Sequence, residues 1–119
     1  MTTQPETRIQ RAIQKMVKAR GGFVFKVHGS ETMMAGLPDL IVCYRGIFIG
    51  FEVKTPTGHV SERQRYVMRQ VMNAQGIVTV PRSVTDASDV LDRVDVWLNA
   101  RGDVSNELSD LFWRDSWRA

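Results

Sequence analysis

The sequence predicts an α/β domain, a small mixed sheet flanked by helices in the order αβββαβα with a helical tail. Three observations carry this. Ile9, Ala12, Ile13, Met16 and Val17 recur at helical spacing until Gly21-Gly22 ends the run. Gly36-Leu-Pro-Asp-Leu-Ile-Val-Cys-Tyr44 and Ile47-Phe-Ile-Gly-Phe-Glu-Val-Lys54 are two β-rich runs separated by the dipeptide Arg45-Gly46, the pattern of a tight hairpin. From Ser61 onward, apolar residues at helical spacing, then Ile77-Val-Thr-Val80, then helical spacing again give the closing αβα.

Each element has its own local signals. Thr3-Gln4-Pro5-Glu6 has the form of a capping box for the first helix. Phe23 to Val27 reads as a strand and His28 to Gly36 as a loop holding the apolar pair Met33-Met34. After Pro56-Thr57-Gly58, Ser61 caps a second helix whose inward residues are Val67, Met68, Val71 and Met72, and which stops at Gly76. A third helix runs from about Thr85 to Asn99, with Ala87, Leu91, Val94 and Leu98 on one face and aspartates on the other. Residues 1–100 make one domain. Residues 101–119 form a tail in which Leu108, Leu111, Phe112, Trp113 and Trp117 gather with partial helical spacing.

The hairpin puts charge where packing would not. If Arg45-Gly46 is the turn, Tyr44 faces Ile47, and continuing the ladder outward sets Asp39 opposite Glu52. Lys54 shares their face because side chains alternate along a strand. Favourable cross-strand pairs contribute roughly 0.2–1 kcal/mol. Two like charges about 5 Å apart at an effective dielectric near 20 instead repel by roughly 3 kcal/mol. A divalent cation between the carboxylates would turn the repulsion into a site, and oxygen ligands suit Mg²⁺ or Mn²⁺ rather than zinc.

Composition narrows the classes. A chain of 119 residues with 43% hydrophobic residues suits a single folded core. No apolar run approaches the roughly 20 residues needed to span a bilayer, and no secretory pattern opens the sequence, so a cytoplasmic, non-membrane protein is expected. The lone Cys43 excludes an internal disulfide and a cysteine-based metal site. Residues 1–82 hold 12 basic against 5 acidic residues, a net of +7, whereas residues 83–119 hold 4 against 8, a net of −4. Arginine outnumbers lysine 12 to 4, and its forked donors suit phosphate oxygens. A scattered solvated surface explains the same charge equally well.

Pro38-Asp39 followed by Glu52-Val53-Lys54 resembles the PD-(D/E)xK nuclease core. Glu6 on the first helix, Gly36-Leu37-Pro38-Asp39-Leu40, Phe51-Glu52-Val53-Lys54 and Ser61-Glu62-Arg63-Gln64 together resemble the VRR-NUC branch of that superfamily, over roughly residues 6 to 82. The resemblance implies a restriction-endonuclease-like core and a Mg²⁺-dependent endonuclease in which Mn²⁺ substitutes. Asp39, Glu52 and the Val53 carbonyl would be metal ligands and Lys54 would serve the attacking water or the phosphate. Glu6 and Gln64 would be further active-site residues. Both also fit as capping-box members, Thr3-x-x-Glu6 and Ser61-x-x-Gln64, and both readings stand at this point.

Lys26 and His28 are expected to border the DNA, with His28 and His59 the weaker candidates. Arg63, Arg65 and Arg69, on the exposed side of the second helix, are candidate phosphate contacts. By resemblance to compact stand-alone VRR-NUC proteins the substrate is branched DNA such as a Holliday junction, cut by a homodimer. The tail supplies apolar area for that interface. A flap-cutting or nicking nuclease of the same fold, or a non-catalytic DNA-binding protein, are the alternatives.

Overall fold

A computed structural model describes residues 5–29 and 33–101. Its elements are α1 (Pro5–Ala19), β1 (Phe23–Lys26), β2 (Leu40–Tyr44), β3 (Ile47–Phe51), α2 (Glu62–Asn73), β4 (Ile77–Thr79) and α3 (Val84–Arg101). The expected order is the observed one. The strands form one mixed sheet in spatial order β1-β2-β3-β4, antiparallel except for the parallel pair β3-β4 that α2 connects.

The hairpin register is the predicted one, from Tyr44 opposite Ile47 to Leu40 opposite Phe51. Arg45 and Gly46 both adopt positive φ, 50° and 84°, as a two-residue type I′ turn requires. This register assigns the two faces of the sheet. Val24, Val42 and Ile49 form one cross-strand row, with Leu40, Phe51 and Tyr44 beside it, and all are buried with Ile13 and Val17 of α1 and Ala87, Leu91, Val94 and Leu98 of α3. The opposite face carries Phe25, Ile41 and Gly50 in one row and Phe23, Cys43 and Phe48 in the next. There α2 packs against β4, and Phe23 and Phe25 stay 65% and 47% exposed.

Three details differ from the sequence expectation. In α1 Ala12 is exposed and Gln10 is buried, so the inward stripe is Gln10, Ile13 and Val17 flanked by Ile9 and Met16. In α2 only Val67 is fully buried, and Met72 lies outward, because the helix rests on a short edge strand and has little sheet to cover. The second helix ends at Asn73, short of Gly76, and Gln75 takes the left-handed conformation between them (φ 70°). Gly76 is needed for room instead: a Cβ there would meet Val71 Cγ1 at 2.7 Å and the Phe48 ring at 3.2 Å. The Thr3 cap and the tail from 102 lie outside the described residues.

A charged cluster ties α3 to the hairpin. Asp95 accepts hydrogen bonds from the Tyr44 hydroxyl (2.9 Å), Arg45 Nη1 (3.0 Å) and Arg20 Nη2 (2.9 Å), and Arg20 also meets Asp92 at 2.8 Å. Burial opposes the Asp95 charge, but the bonds from Arg45, Tyr44 and Arg20 outweigh it and hold the carboxyl below its ordinary range. The cluster's contribution is therefore present at neutral pH and lost as pH falls through that lowered value. Asp95→Ala leaves the nearly buried Tyr44 hydroxyl without its acceptor and is expected to cost about 1–3 kcal/mol. Urea denaturation at pH 7 measures this, and an unchanged midpoint would remove the cluster from the fold's support.

Candidate active site

One ladder position beyond the end of β2 and β3, the chain sets Asp39 beside Glu52. The Val27 N–H donates to the Asp39 carbonyl at 2.8 Å, continuing the β1–β2 ladder to that level. The Val53 N–H donates to Asp39 Oδ2 at 2.7 Å, which fixes the carboxylate against the extension of β3. On the other side, the N–H groups of Glu52 and Lys54 donate to the carbonyls of Thr79 (3.0 Å) and Pro81 (3.2 Å). Residues 52–54 thus alternate as an extended strand does. An extended residue's N–H and C=O share one strand edge, so the Val53 carbonyl lies on the Asp39 side.

Close approaches bring in the remaining parts. Pro38 is buried against Gly50, where a Cβ would come within 2.8 Å of the proline ring. Gly36 has φ 86° and lies against the backbone of Arg63, where a Cβ would come within 2.7 Å of the carbonyl oxygen; Arg63 Nε also donates to the Ala35 carbonyl at 3.1 Å. The loop carrying Asp39 is thereby clamped to the first turn of α2. Ser61 caps that turn in a full capping box with Gln64. The Gln64 amide uses both ends: Oε1 accepts from the Ser61 N–H (2.9 Å), and Nε2 donates to Glu52 Oε1 at 2.7 Å. The two readings of Gln64 are compatible, since one end caps the helix and the other enters the site.

Glu52 is only 1% exposed. Lys54 Nζ stands 3.6 Å from Glu52 Oε1, while Glu52 Oε2 is buried without a hydrogen-bond partner. Burial, and next the neighbouring Asp39 charge, push the Glu52 carboxyl up to about 8, with Lys54 opposing. Burial also raises Asp39, against the Val53 N–H and the charges of Lys54 and Lys26. Two carboxyls, one with an orphaned oxygen, beside a backbone carbonyl form an all-oxygen donor set fit for a hard divalent cation. Among the described residues no group of three or more His, Cys, Asp or Glu side chains could hold a metal ion, so Glu6, half-buried on α1, does not complete a carboxylate triad.

The structure brings Asp39, Glu52, Lys54 and Gln64 together and leaves the other candidates at the margin. Lys26 ends β1 opposite Leu40, on the core-facing side, yet its charge reaches Asp39. Arg65 and Arg69 are exposed on α2, as are His28 and His59 in their loops. Arg63 is exposed too, but it clamps Ala35 and lies over the Tyr66 ring at 5.2 Å. Arg82 was not singled out from the sequence. Its Nη1 donates to the carbonyls of Thr55 (2.7 Å) and Gly58 (2.8 Å), bracing the loop that follows Lys54. Only the Ser83-x-x-Asp86 cap next to it marks the spot, with Asp86 accepting from the Arg82 N–H.

A solved structure described as a VRR_NUC domain superposes with a TM-score of 0.66 at 25% identity, covering 76% of this chain and 97% of that one. This likeness supports membership of the VRR-NUC family. The small four-stranded sheet with its flanking helices is accordingly a restriction-endonuclease-like fold, and the match supports a nuclease domain. No protein-family model and no curated protein matches the sequence. Among the described residues no helix is long and apolar enough to cross a membrane.

The raised Glu52 carboxyl has a measurable consequence. The folded state holds the proton up to about 8 whereas the unfolded chain releases it near 4.5. Between those values the folded state binds more protons, so stability falls as pH rises. Thermal melts in chelator are expected to drop by roughly 5 °C or more from pH 5 to pH 9, and Glu52→Gln to flatten the drop. Equal slopes for both proteins would contradict the buried carboxyl.

Proposed function

We propose that the protein is a metal-dependent endonuclease that hydrolyses phosphodiesters in branched DNA. The observation that carries this is the half-buried Asp39 beside the buried Glu52, with the partnerless Glu52 Oε2, next to Lys54 and Gln64. Asp39, Glu52 and the Val53 carbonyl would hold Mg²⁺ or Mn²⁺, with water and phosphate oxygens completing the shell. When bound, the cation supplies Lewis-acid activation of water and charge neutralisation at the leaving oxygen. Gln64 orients Glu52 through Nε2. Lys54, largely buried, presents its ammonium to the attacking water or to the developing charge on the phosphate, where low solvent access strengthens it. Glu6 stands outside this set as a helix-start residue facing the sheet side.

A junction is too large for one such domain, and a homodimer would present two sites to a branched substrate. Nothing among the described elements resembles a recognition helix or finger, which favours structure-selective over sequence-selective cutting. The test is a digestion panel of Holliday junctions, flaps, nicked and plain duplex in Mg²⁺ or chelator, with light scattering for the dimer. Asp39→Ala, Glu52→Ala and Lys54→Ala are each expected to reduce cleavage by a factor of about 100 or more while the fold persists. Wild-type rates in any of the three would dismantle the assignment.

Phosphate contact should come from the exposed arginines of α2. Binding measured in Ca²⁺ is expected to weaken steeply with salt, and Arg65→Ala and Arg69→Ala to flatten the log–log slope by up to about one unit each. Arg63→Ala should behave differently, because it also releases the Asp39 loop. A salt-insensitive affinity would move the DNA away from α2.

A further inference from the structure

The face of the sheet that holds the catalytic pair is apolar along its open edge. Val27 lies in the row of Asp39 and Glu52; Phe25 shares the next row with Ile41 and Gly50, and Phe23 the one after with Cys43 and Phe48. Along β1 these three side chains project on one side at a spacing of about 6.8 Å. The two phenylalanine rings are 6.0 Å apart, tilted by 58°, and both are largely exposed although β1 belongs to the sheet. At the catalytic end the track opens into a cleft of about 340 Å³, lined by Val27, Met33, Met34, Leu37 and Pro38 and ending on Asp39. Met33 and Met34 are exposed as well. The apolar, thioether-lined cleft thus continues the aromatic row of β1 to the carboxylate of Asp39.

We propose that this track binds an unpaired single-stranded segment of DNA beside the phosphate to be cut, with the first base in the Met33–Met34 cleft and the following bases on Phe25 and Phe23. The proposal rests on the nuclease reading and names what that site selects. Duplex DNA keeps its bases inside and offers such a surface only sugar and phosphate, for which an uncharged shelf has no use. A single strand offers π faces, and aromatic side chains on an open strand take them without reading sequence. Methionine sulfur packs on ring systems and adapts to their shape. The track ends at Asp39, where the phosphate to be cut would arrive; Lys26, one residue before Val27, projects to the other face of the sheet, although its charge is felt at Asp39. A flap or gap supplies a single strand joined to duplex, and a four-way junction does so where pairs open at the crossover, so the arginine-bearing α2 and the apolar β1 edge would divide the two parts of one substrate.

The test uses full-length protein in Ca²⁺ and a duplex with a single-stranded overhang carrying 2-aminopurine at successive positions from the junction. Wild-type protein should quench the probe on stacking and bind the overhang substrate more tightly than blunt duplex. Phe25→Ala should abolish the quench and lower the overhang-to-duplex affinity ratio about tenfold. Phe25→Trp should restore both. Phe23→Ala should shift the loss to probes one position further from the cut. Circular dichroism of each variant guards against unfolding, which the exposure of both rings makes a minor risk. An unchanged ratio and quench in Phe25→Ala overturn the track. So does a dimer that falls apart in Phe25→Ala with the overhang preference intact in the monomer, because the face is then a surface for a second copy. Failure of the nuclease reading looks different: the wild type then cleaves no DNA in Mg²⁺, and the track falls with it.

Discussion

A carboxyl that is almost wholly removed from water must be neutralised, and the placement of Glu52 makes that demand on everything around it. One oxygen is met by Gln64 and approached by Lys54; the other has no partner. Asp39, which would repel it, is held next to it by the Val53 N–H. A shared proton answers the demand at low pH, and a cation can answer it above. The surrounding features read as means of keeping the two acids together: the type I′ turn fixes register, Gly50 admits Pro38, Gly36 admits the first turn of α2, and Arg82 steadies the loop beyond Lys54.

Much of this was legible because it depends on short-range rules. A two-residue turn sets the register of every residue in its hairpin, so Asp39 opposite Glu52 follows from the position of Arg45-Gly46. The helical faces of α3 and most of α1 follow from apolar spacing, and Gln64 was visible as a residue with two explanations. What spacing could not show is that an amide has two ends and serves both. Gln10 was hidden for a related reason. A stripe read from apolar identity passes over a polar residue that occupies an inward position, and favours Ala12 on the wrong side.

The illegible parts are contacts between segments far apart in the chain. Asp95 meets Arg20, Tyr44 and Arg45 across 75, 51 and 50 positions, and no local pattern separates it from the other aspartates of α3. Gly36 and Gly50 look like ordinary loop and strand glycines until the neighbour that needs the space is known. The tail and Thr3 fall beyond the described residues.

The division of charge along the sequence becomes a different division in space. Part of the acidic excess of the last third is spent inside the molecule, because Asp92 and Asp95 neutralise Arg20 and Arg45 from the basic part. Those arginines are therefore poor candidates for phosphate contact, and the exposed basic helix residues of that part left for a ligand divide between Arg8, Arg11, Lys15 and Lys18 on α1 and Arg63, Arg65 and Arg69 on α2, the second group being the one on the side of the carboxyl pair. Asp39 and Glu52 lie on the sheet face that α2 partly covers; α1 and α3 occupy the other. A polyanion approaching through the acidic face of α3 would meet repulsion with the core behind it, whereas an approach over α2 meets cations first and the carboxyl pair next. That pair is itself anionic once deprotonated, so the same electrostatics that would draw a phosphate toward α2 would turn it away from the two carboxylates unless a cation or a proton stands there. If the site takes a cation as proposed, access by a nucleic acid is thereby coupled to neutralisation of Glu52 and Asp39.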